Sequence, residues 1–320
     1  GEILMSIIEN AYFLNIDFGK KLTGIERSSL KRAHLFIKHL DILPVFVTSK
    51  FNLDLIENID YYKKIGWFPQ DCKIINVYDE LCERNKSNLN RSFFYSEDDY
   101  EIRDVNKNHQ RFIGRESNIS LYVFWRNFDE KIVSYINFFS NGRKIRREKY
   151  DAKGILYLVQ LLNFNCEVES EDYLDCDENV ILRKIFNTEN KKIIRIEKYK
   201  NNKMERIFFS EQELIDYWLC WSKIKNDSLL VIDKNKFWSK VVSSLTHKYK
   251  VISIIHSVHV REVDVGNIIS GKINYNYIDI LESSQKIDAI VTLTEHQKID
   301  LLARYHDKHR FEVIPHSLDQ

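Results

Sequence analysis

A strand, a helix and a second strand follow one another near the end of the chain. The first strand, Asp288–Thr294 (DAIVTLT), is an apolar, β-branched run, which is typical of a buried parallel strand. Thr294 can cap the helix Glu295–Tyr305, and the apolar run Phe311–His316 (FEVIPH) predicts another strand that ends at Pro315. Parallel strands need a crossover connection, usually a helix, so this run predicts an α/β fold.

Composition leaves room for about two domains and argues against several classes of protein. The 320 residues are 44% hydrophobic and 13% aromatic, which provides for a sizeable core, and the net charge of +1 argues against a strongly basic nucleic-acid binder. Five cysteines without C-x-x-C spacing indicate reduced thiols in a cytoplasmic protein rather than a disulfide framework or a zinc site. No apolar stretch reaches the length of a membrane span, and Ile3–Ile8 is too short for a signal peptide.

Strands and helices also alternate before residue 91 and after residue 210. The predicted elements are the strand Ala11–Asp17, the helix Ile25–Leu40, the strand Pro44–Thr48, the helix Leu53–Ile65, the strand Lys73–Tyr78, the helix Glu211–Lys223, the strand Ser228–Asp233, the helix Lys236–Leu245, the strand Lys250–His256 and the helix Tyr277–Ser284. This order predicts a Rossmann-like, doubly wound parallel sheet.

The segment between about Arg91 and Phe209 follows a different pattern, with short alternating strands separated by turn residues such as Asn141-Gly142. Seven strands are predicted there: Ser120–Trp125, Ile132–Phe138, Lys144–Tyr150, Ile155–Leu161, Val180–Phe186, Ile193–Tyr199 and Met204–Phe209. The segment therefore predicts an antiparallel β-meander inserted into the α/β domain. Its basic strands are weakly similar to one another, which we interpret as hairpin periodicity rather than a solenoid.

The turn Phe18–Arg27 (FGKKLTGIER) is the first candidate for a binding site. Ligands of open α/β sheets bind at the carboxyl ends of strands, where Thr23 can cap the following helix and Gly24 lets backbone amides approach an anion. Lys21, Thr23 and Gly24 are therefore predicted to bind substrate. The spacing from Gly19 to Gly24 fits neither a dinucleotide fingerprint nor a P-loop, and a capped helix after a polar turn is the alternative.

Two histidines near the end of the strand Lys250–His256 are the second candidate. A neutral imidazole at His256 could donate to a sugar hydroxyl at the edge of a cleft, and His259 is predicted as a second catalytic residue. Residues three apart in a strand point to opposite faces, and no third ligand has suitable spacing nearby, so a zinc site is not predicted. A histidine satisfied at a strand end is the alternative for His256.

Two further groups of residues complete the predicted sites. Thr294 and Glu295 stand at another strand end and are predicted to bind substrate, although a helix cap and a dipole-stabilising acid explain both residues. Cations on one predicted strand could bind a phosphate-bearing acceptor, and the alternative is a solvated strand face. These predicted acceptor-binding residues are Arg143, Lys144, Arg146 and Arg147.

Four segments resemble a known family of enzymes. They are TGIERSSLKRAHLF at the first helix, LPVFVTSKFNLDLIENIDYYKKIG followed by IINVYDEL, IHSVH at residues 255–259, and DAIVTLTEHQKIDL with VIPHS at the end. Together they resemble the N-terminal part of bacterial poly(glycerol-phosphate) and poly(ribitol-phosphate) α-glycosyltransferases, which decorate teichoic acids. Relatives of these enzymes glycosylate serine-rich surface adhesins. The family's common double glycine is absent from the first segment.

The resemblance implies the GT-B fold. Residues 1–90 and 210–310 would form a Rossmann-like, acceptor-side domain, and residues 91–209 would form the inserted antiparallel β domain. Residues 311–320 would begin the crossover to a donor-binding domain that is missing from this chain, so the chain alone would be inactive.

The resemblance also implies a function for the full-length enzyme. It would transfer a hexose or N-acetylhexosamine from a UDP-sugar to teichoic acid, with retained configuration and without a metal or other cofactor. It would be cytoplasmic, at the inner face of the membrane, and a homo-oligomer through the β insertion. The alternatives are a glycosyltransferase of a serine-rich surface protein and a non-catalytic binding or scaffold subunit. A complete small α/β enzyme is disfavoured, because no phosphate loop or catalytic triad can be assembled.

Overall fold

The computed structural model describes residues 8–84, 90–242, 247–282 and 287–315. It divides the chain into two compact units, one made of Gly1–Val77 with Ile215–Gln320 and the other of Tyr78–Leu214. The sequence pattern placed these divisions after residues 90 and 209. The predicted ends of three elements, at Leu245, Ser284 and His316, lie outside the described residues.

The first unit is built on a parallel sheet of seven strands. These strands are β1 (Ala11–Asn15), β2 (Val45–Thr48), β3 (Lys73–Asn76), β14 (Leu229–Ile232), β15 (Lys250–Ile254), β16 (Ala289–Thr292) and β17 (Phe311–Val313). All residues of β1, β14 and β16 are buried, as expected for strands covered on both faces. The strand–helix–strand run near the end of the chain thus supplies two neighbouring strands of this sheet, β16 and β17.

The strand order is β17-β16-β15-β14-β1-β2-β3, and it reverses between β1 and β14. Connections on either side of such a switch point leave in opposite directions, which opens a crevice at the carboxyl ends of the strands. This geometry places the turns after β1 and β14 at the position where an open α/β sheet binds its ligand.

Seven α-helices connect the strands in the described part of the chain. They are α1 (Gly24–Leu40), α2 (Leu55–Lys64), α3 (Val77–Leu81), α4 (Glu211–Trp221), α5 (Asn235–Val242), α6 (Ile278–Leu281) and α7 (Glu295–Tyr305). The predicted strand Lys73–Tyr78 is shorter than expected, because the chain turns into α3 at Val77.

Aromatic rings fill the core beneath α1 and α2. Phe18 and Phe46 meet edge to face with ring centroids 5.5 Å apart, and Phe46 and Phe68 are 4.7 Å apart. Phe13, on β1, packs edge to face against Phe46 at 5.6 Å. Such pairs add about 0.5–1.5 kcal/mol each to the free energy gained from burial. Phe36 of α1 meets Phe13 edge to face at 5.1 Å, so this core also holds α1 against β1.

The second unit contains an antiparallel sheet of ten strands in sequential order. They are β4 (Tyr100–Asn106), β5 (His109–Gly114), β6 (Ile119–Asn127), β7 (Ile132–Ser140), β8 (Arg143–Tyr150), β9 (Leu156–Leu162), β10 (Val168–Leu174), β11 (Val180–Phe186), β12 (Ile193–Lys200) and β13 (Lys203–Phe208). The predicted α/β fold with a large antiparallel insertion is confirmed. The sequence prediction missed β4, β5 and β10, in which polar residues make up half or more of the strand.

Three alternate strands repeat a Glu-x-Tyr pattern, which explains the weak self-similarity of their sequences. The hydroxyl of Tyr173 donates to Glu171 at 2.7 Å, and that of Tyr199 donates to Glu197 at 2.6 Å. Tyr150 donates to Glu148 in the same way on β8. Residues two apart in a strand share a face, so in each strand the tyrosine donates to the acid of the same strand. The repeat is a hairpin periodicity, as predicted.

A buried arginine joins the start of the second unit to its sheet. The Arg84 side chain is 4% exposed, pairs with Asp151, and donates to the carbonyls of Leu156 and Asp175, both at 3.0 Å. Its guanidinium carbon lies 4.1 Å from the centre of the Tyr157 ring. Because several acceptors depend on one cation, its removal would leave them without their donor.

We expect Arg84→Met to lower the free energy of opening of this sheet by about 3 kcal/mol, since it leaves buried carbonyls and Asp151 without their partner. Hydrogen exchange of the β8–β11 amides measures this opening. The matched control is Arg103→Met, whose side chain is 63% exposed and pairs with Glu101, and which should change the free energy by less than about 0.5 kcal/mol. Equal effects of the two substitutions would contradict a structural role for Arg84.

Candidate functional site

A cleft of about 1250 Å³ opens in the first unit beside α1. Apolar residues of both the sheet and α1 line it, together with cationic and imidazole side chains. The apolar residues include Val231, Ile252, Ile254, Val291, Leu293 and Ile314, and the polar ones include Thr23, Arg27, Lys31, Arg32, His34, His39, Lys234 and His256. The end of the cleft at Thr23, Gly24 and His256 lies beside the switch point of the sheet, where the fold predicts ligand binding, and the cleft extends from there along α1 to Leu40.

Asp233 is the buried centre of the polar residues at this cleft. It directly follows the last residue of β14, and its side chain is 0% exposed. Arg32, on α1, donates to it twice, from Nη1 to Oδ2 at 2.9 Å and from Nη2 to Oδ1 at 3.1 Å. Nε2 of His256 lies 2.8 Å from Oδ1. A carboxylate buried this deeply requires such partners, because desolvation of an unpaired charge is very unfavourable.

Two opposing effects act on the ionisation of Asp233. Burial raises the pKa of Asp233, but the charge of Arg32 and the hydrogen bonds from His256 and Arg32 outweigh burial, so the pKa lies below its ordinary value. The carboxyl group is therefore ionised at neutral pH and can only accept hydrogen bonds.

The Asp233 carboxylate determines which nitrogen of His256 carries the proton. Because Asp233 accepts, Nε2 of His256 must be the donor, and in the neutral ring Nδ1 is then an acceptor. The expectation that a neutral His256 would donate to a sugar hydroxyl therefore needs correction. A hydroxyl that reaches the neutral ring would donate to Nδ1, and only the imidazolium could donate from that atom.

A second ion pair ties the start of α1 to the turn after β14. Lys234 Nζ lies 2.9 Å from Glu26 Oε1, and Glu26 also accepts from the backbone N–H of Thr23 at 2.9 Å and from its hydroxyl. Burial raises the pKa of Glu26, but the hydrogen bonds with Thr23 and Lys234 outweigh it and the pKa is lowered. Thr23 and Glu26 thus form a capping box, and Gly24 follows as the exposed first residue of α1.

Three side chains hold the backbone at the end of β15 and so fix the position of His256. The hydroxyl of Tyr277 accepts from the N–H groups of His256 and Ser257 at 3.2 and 3.1 Å. Asn235 Nδ2 donates to the carbonyl of Ile254 at 2.7 Å, and Gln297 Nε2 donates to that of Ser257 at 2.8 Å. The His256 side chain itself is 8% exposed.

His259, the second predicted catalytic residue, is only 1% exposed. Its Nε2 lies 3.3 Å from the carbonyl of Ile268, and burial lowers the pKa of the ring. Arg304 donates to the carbonyl of Gly271 at 2.6 Å in the same loop. Through its contact with Ile268, the His259 ring holds the loop after β15 in place. His259 does not line the cleft.

The structure separates the predicted substrate-binding residues into two groups. Thr23 and Gly24 line the cleft, whereas Lys21, Thr294 and Glu295 are exposed and do not. Thr294 caps α7, as predicted, by accepting from the N–H of Gln297 at 3.2 Å.

The four predicted acceptor-binding cations do not form one patch. Arg146 pairs with Glu148 on one face of β8, whereas Arg147 donates to Asn137 Oδ1 at 2.6 Å on the other. Burial, with the charge of Arg147, lowers the pKa of Lys144. The guanidinium of Arg143 lies 4.7 Å from the centre of the Phe164 ring.

Four residues of the site were not singled out from the sequence: Glu26, Arg32, Asp233 and Lys234. The spacing Thr-x-x-Glu could have found Glu26 as part of a capping box. The end of the strand Ser228–Asp233 could have indicated Asp233, but nothing in the sequence links it to Arg32, which lies 201 residues away.

Two features are absent from the part of the chain that the structure describes. No group of three or more His, Cys, Asp or Glu side chains in residues 8–84, 90–242, 247–282 and 287–315 could hold a metal ion. None of the described helices has the length and apolar character needed to cross a membrane.

The chain is similar in sequence to curated glycosyltransferases and in fold to solved structures. No family model matches the chain. The chain is 23% identical to the poly(glycerol-phosphate) α-glucosyltransferase of Bacillus subtilis (strain 168), over 97% of this chain and 47% of that protein. It is 22% identical to the GtfA subunit of the UDP-N-acetylglucosamine–peptide N-acetylglucosaminyltransferase of Streptococcus agalactiae, over 96% of this chain and 59% of that protein. The chain thus spans about half the length of the curated relatives it matches.

A solved structure shows the same fold. The chain is similar to a variant of S. aureus TarM in complex with fondaparinux, α-GlcNAc-glycerol and UDP, with a TM-score of 0.77, 18% identity, and coverage of 98% of this chain and 62% of that one. The resemblance and the fold class predicted from the sequence are confirmed. Over nearly its whole length, the chain has the fold found in TarM, and its sequence is similar to those of the poly(glycerol-phosphate) α-glucosyltransferase and the N-acetylglucosaminyltransferase subunit.

Proposed function

We propose that this chain is the acceptor-side half of a retaining glycosyltransferase. The whole protein would move a hexose or N-acetylhexosamine from a UDP-sugar to a cell-surface polymer, with teichoic acid as the first candidate. The observation that carries the proposal is the buried Arg32–Asp233–His256 group at the switch-point cleft, in a fold shared with a structure that contains UDP.

The cleft would form one wall of the donor site. His256 would accept a hydrogen bond from a sugar hydroxyl, and the exposed backbone at Thr23 and Gly24 would face the anionic part of the donor or the acceptor. Lys21, Thr294 and Glu295 would lie at the rim. The resemblance implies a second wall of the donor site, transfer with retained configuration and catalysis without a metal. These belong to the same proposal.

The second unit would bind the acceptor through one face of its sheet. On that face the guanidinium of Arg147 lies 5.5 Å from the centre of the Tyr135 ring, which stacks on Phe124 at 5.2 Å. Burial and the neighbouring Arg147 lower the pKa of Lys149 on the same face. Cations beside aromatic rings suit a polymer that carries both phosphates and sugars or polyols. This combination favours teichoic acid over an unphosphorylated protein acceptor.

Assembly and location complete the proposal. The β insertion would mediate self-association, because edge strands and an open sheet face need cover, and the enzyme would work in the cytoplasm at the inner face of the membrane. The second candidate function is that of a subunit with a partner chain and without catalysis of its own. It is favoured by the name of the S. agalactiae relative, which is called a subunit.

A transfer assay tests the function. The whole protein would be incubated with UDP-glucose or UDP-N-acetylglucosamine, and with either teichoic acid or a serine-rich peptide as acceptor. We expect transfer to teichoic acid with an α-linked product, and none by residues 1–320 alone. Turnover by residues 1–320 would contradict the assignment as a half-enzyme. Absence of transfer by the whole protein until a partner is added would favour the second candidate.

We expect His256→Ala in the whole protein to slow transfer about tenfold to a hundredfold, which corresponds to the loss of a hydrogen bond of about 1–3 kcal/mol in the transition state. Stability should fall by only about 1 kcal/mol, because Arg32 still pairs with Asp233. Initial rates and thermal unfolding measure the two effects. The control is His39→Ala, an exposed histidine that lines the same cleft. Unchanged transfer, or a large loss of stability, would show that His256 is structural.

We expect Arg147→Ala to weaken binding of poly(glycerol-phosphate), and to reduce the dependence of that binding on salt, because it removes a cation from the aromatic face. Isothermal titration at several salt concentrations measures both. Arg146→Ala is the matched control, since Arg146 is next to Arg147 in the sequence but pairs with Glu148 on the opposite face. Equal effects of the two substitutions would refute the proposed acceptor face.

A further inference from the structure

An arginine that lines the cleft has no part in the proposed contacts with substrate. Arg27 lies near the start of α1, where its backbone N–H donates to the carbonyl of Thr23 at 3.2 Å. Residues four apart on a helix share a face, so Arg27 lies beside Thr23, at the end of the cleft next to the switch point. Arg27 is exposed, and a ligand in the cleft can therefore reach it.

A tryptophan ring supports the guanidinium of Arg27. The guanidinium carbon lies 4.8 Å from the centre of the ring of Trp67, a residue that is 40% exposed and lines the same cleft. The Trp67 ring lies parallel to that of the buried Tyr62 at a centroid distance of 6.0 Å. Nε2 of His34, on α1, donates to the carbonyl of Trp67 at 3.1 Å. Contacts from α1 and α2 thus fix the ring on which Arg27 rests.

The turn between β1 and α1 is also held in place by α2. The hydroxyl of Tyr62 donates to the carbonyl of Gly19 at 2.6 Å, and Nδ2 of Asn58 donates to that of Phe18 at 3.0 Å. The Phe18 side chain is itself buried in the core. Side chains on this turn therefore start from a fixed backbone, which reduces the entropy lost when they bind a ligand.

The charges of the segment Asp17–Arg27 are unevenly paired. Both of its acids are engaged, since Asp17 Oδ2 lies 3.6 Å from Nζ of Lys50, and Glu26 pairs with Lys234 at 2.9 Å. Its three cations are exposed and form no ion pair with any residue that the structure describes: Lys20, Lys21 and Arg27. The segment thus presents positive charge to solvent at the mouth of the cleft, and this charge suits an anion.

We propose that Arg27, held on the Trp67 ring, binds a phosphate group of a substrate. A guanidinium stacks through its face and donates through its edge, so Trp67 can support Arg27 while two N–H groups bind two phosphate oxygens. Lys20 and Lys21 add positive charge without a fixed geometry. Arg27 is the binding residue, and Trp67 is a positioning residue that acts through it.

Two substrates of the proposed reaction carry phosphate. The UDP-sugar has a diphosphate, and a poly(glycerol-phosphate) acceptor has a phosphodiester in every repeat. The source of the phosphate therefore rests on the proposed function, whereas the affinity of Arg27 for phosphate does not.

Titration calorimetry of the whole protein tests the proposal, with UDP in one series and a short glycerol-phosphate oligomer in the other. We expect Arg27→Gln to raise the Kd of one of these ligands about tenfold, as expected for a lost charge-assisted hydrogen bond. The ligand whose Kd rises identifies the source of the phosphate. Arg27→Lys should raise the same Kd by a smaller factor, because it retains the charge but not the planar fork.

A cation of the same helix provides the matched control. Lys38 is exposed on α1 and does not line the cleft. Lys38→Gln removes the same charge as Arg27→Gln and should leave both Kd values unchanged. Equal effects of Lys38→Gln and Arg27→Gln would overturn the proposal, because they would show that only the overall charge of α1 matters.

A double-mutant cycle tests the positioning role of Trp67. We expect Trp67→Leu to raise the Kd of the same ligand about threefold in the wild-type background, and to have no further effect when residue 27 is already changed by Arg27→Gln. A purely structural role of Trp67 would give equal effects in both backgrounds, and that result would refute the positioning role. Thermal unfolding of each variant reports whether the fold is retained.

The outcomes separate this site from the proposed function. Unchanged Kd values of Arg27→Gln for both ligands, in a protein that transfers sugar, would refute the phosphate site alone. Binding that depends on Arg27 in a protein that transfers no sugar would sustain the site and refute the glycosyltransferase. A whole protein that binds neither ligand would refute both.

Discussion

An ionised carboxylate buried at the end of β14 governs how the first unit is arranged. Asp233 can stay charged there only because Arg32 and His256 supply three hydrogen bonds, and these two partners come from α1 and from the end of β15. The carboxylate thus joins three segments that are distant in the sequence. Removing Arg32 would leave the Asp233 charge without its ion pair in a position that water cannot reach, whereas removing His256 would leave that ion pair in place.

This group lies where the topology of the sheet already favours a binding site. The order of the strands reverses between β1 and β14. The segment after β1 contains Thr23 and Gly24, and the segment after β14 begins with Asp233 and Lys234. Lys234 and Glu26 join the two sides a second time. The cleft is therefore preorganised by contacts between the protein's own charges, and a ligand would not have to assemble it.

The sequence predicted the elements of the fold better than the contacts of the site. Apolar runs such as Asp288–Thr294 and turn signals such as Asn141-Gly142 are local, and they gave the parallel sheet and the meander. Strands β4, β5 and β10 were missed because polar residues make up half or more of each strand. In β10 these residues are satisfied across the sheet, as when Arg183 pairs with Asp172 at 2.6 Å. His256 could be selected from its place at a strand end, whereas Arg32 and Asp233 could not be linked, because 201 residues separate them.

The central claim is that the cleft beside α1 binds the sugar of a UDP-sugar with His256 as a hydrogen-bond acceptor. A crystal structure of the whole protein with its UDP-sugar tests this claim most directly. The account predicts a sugar hydroxyl within about 3 Å of Nδ1 of His256, with Nε2 still bonded to Asp233. A sugar bound elsewhere in the protein, or a His256 ring turned away from Asp233 when the sugar binds, would contradict it.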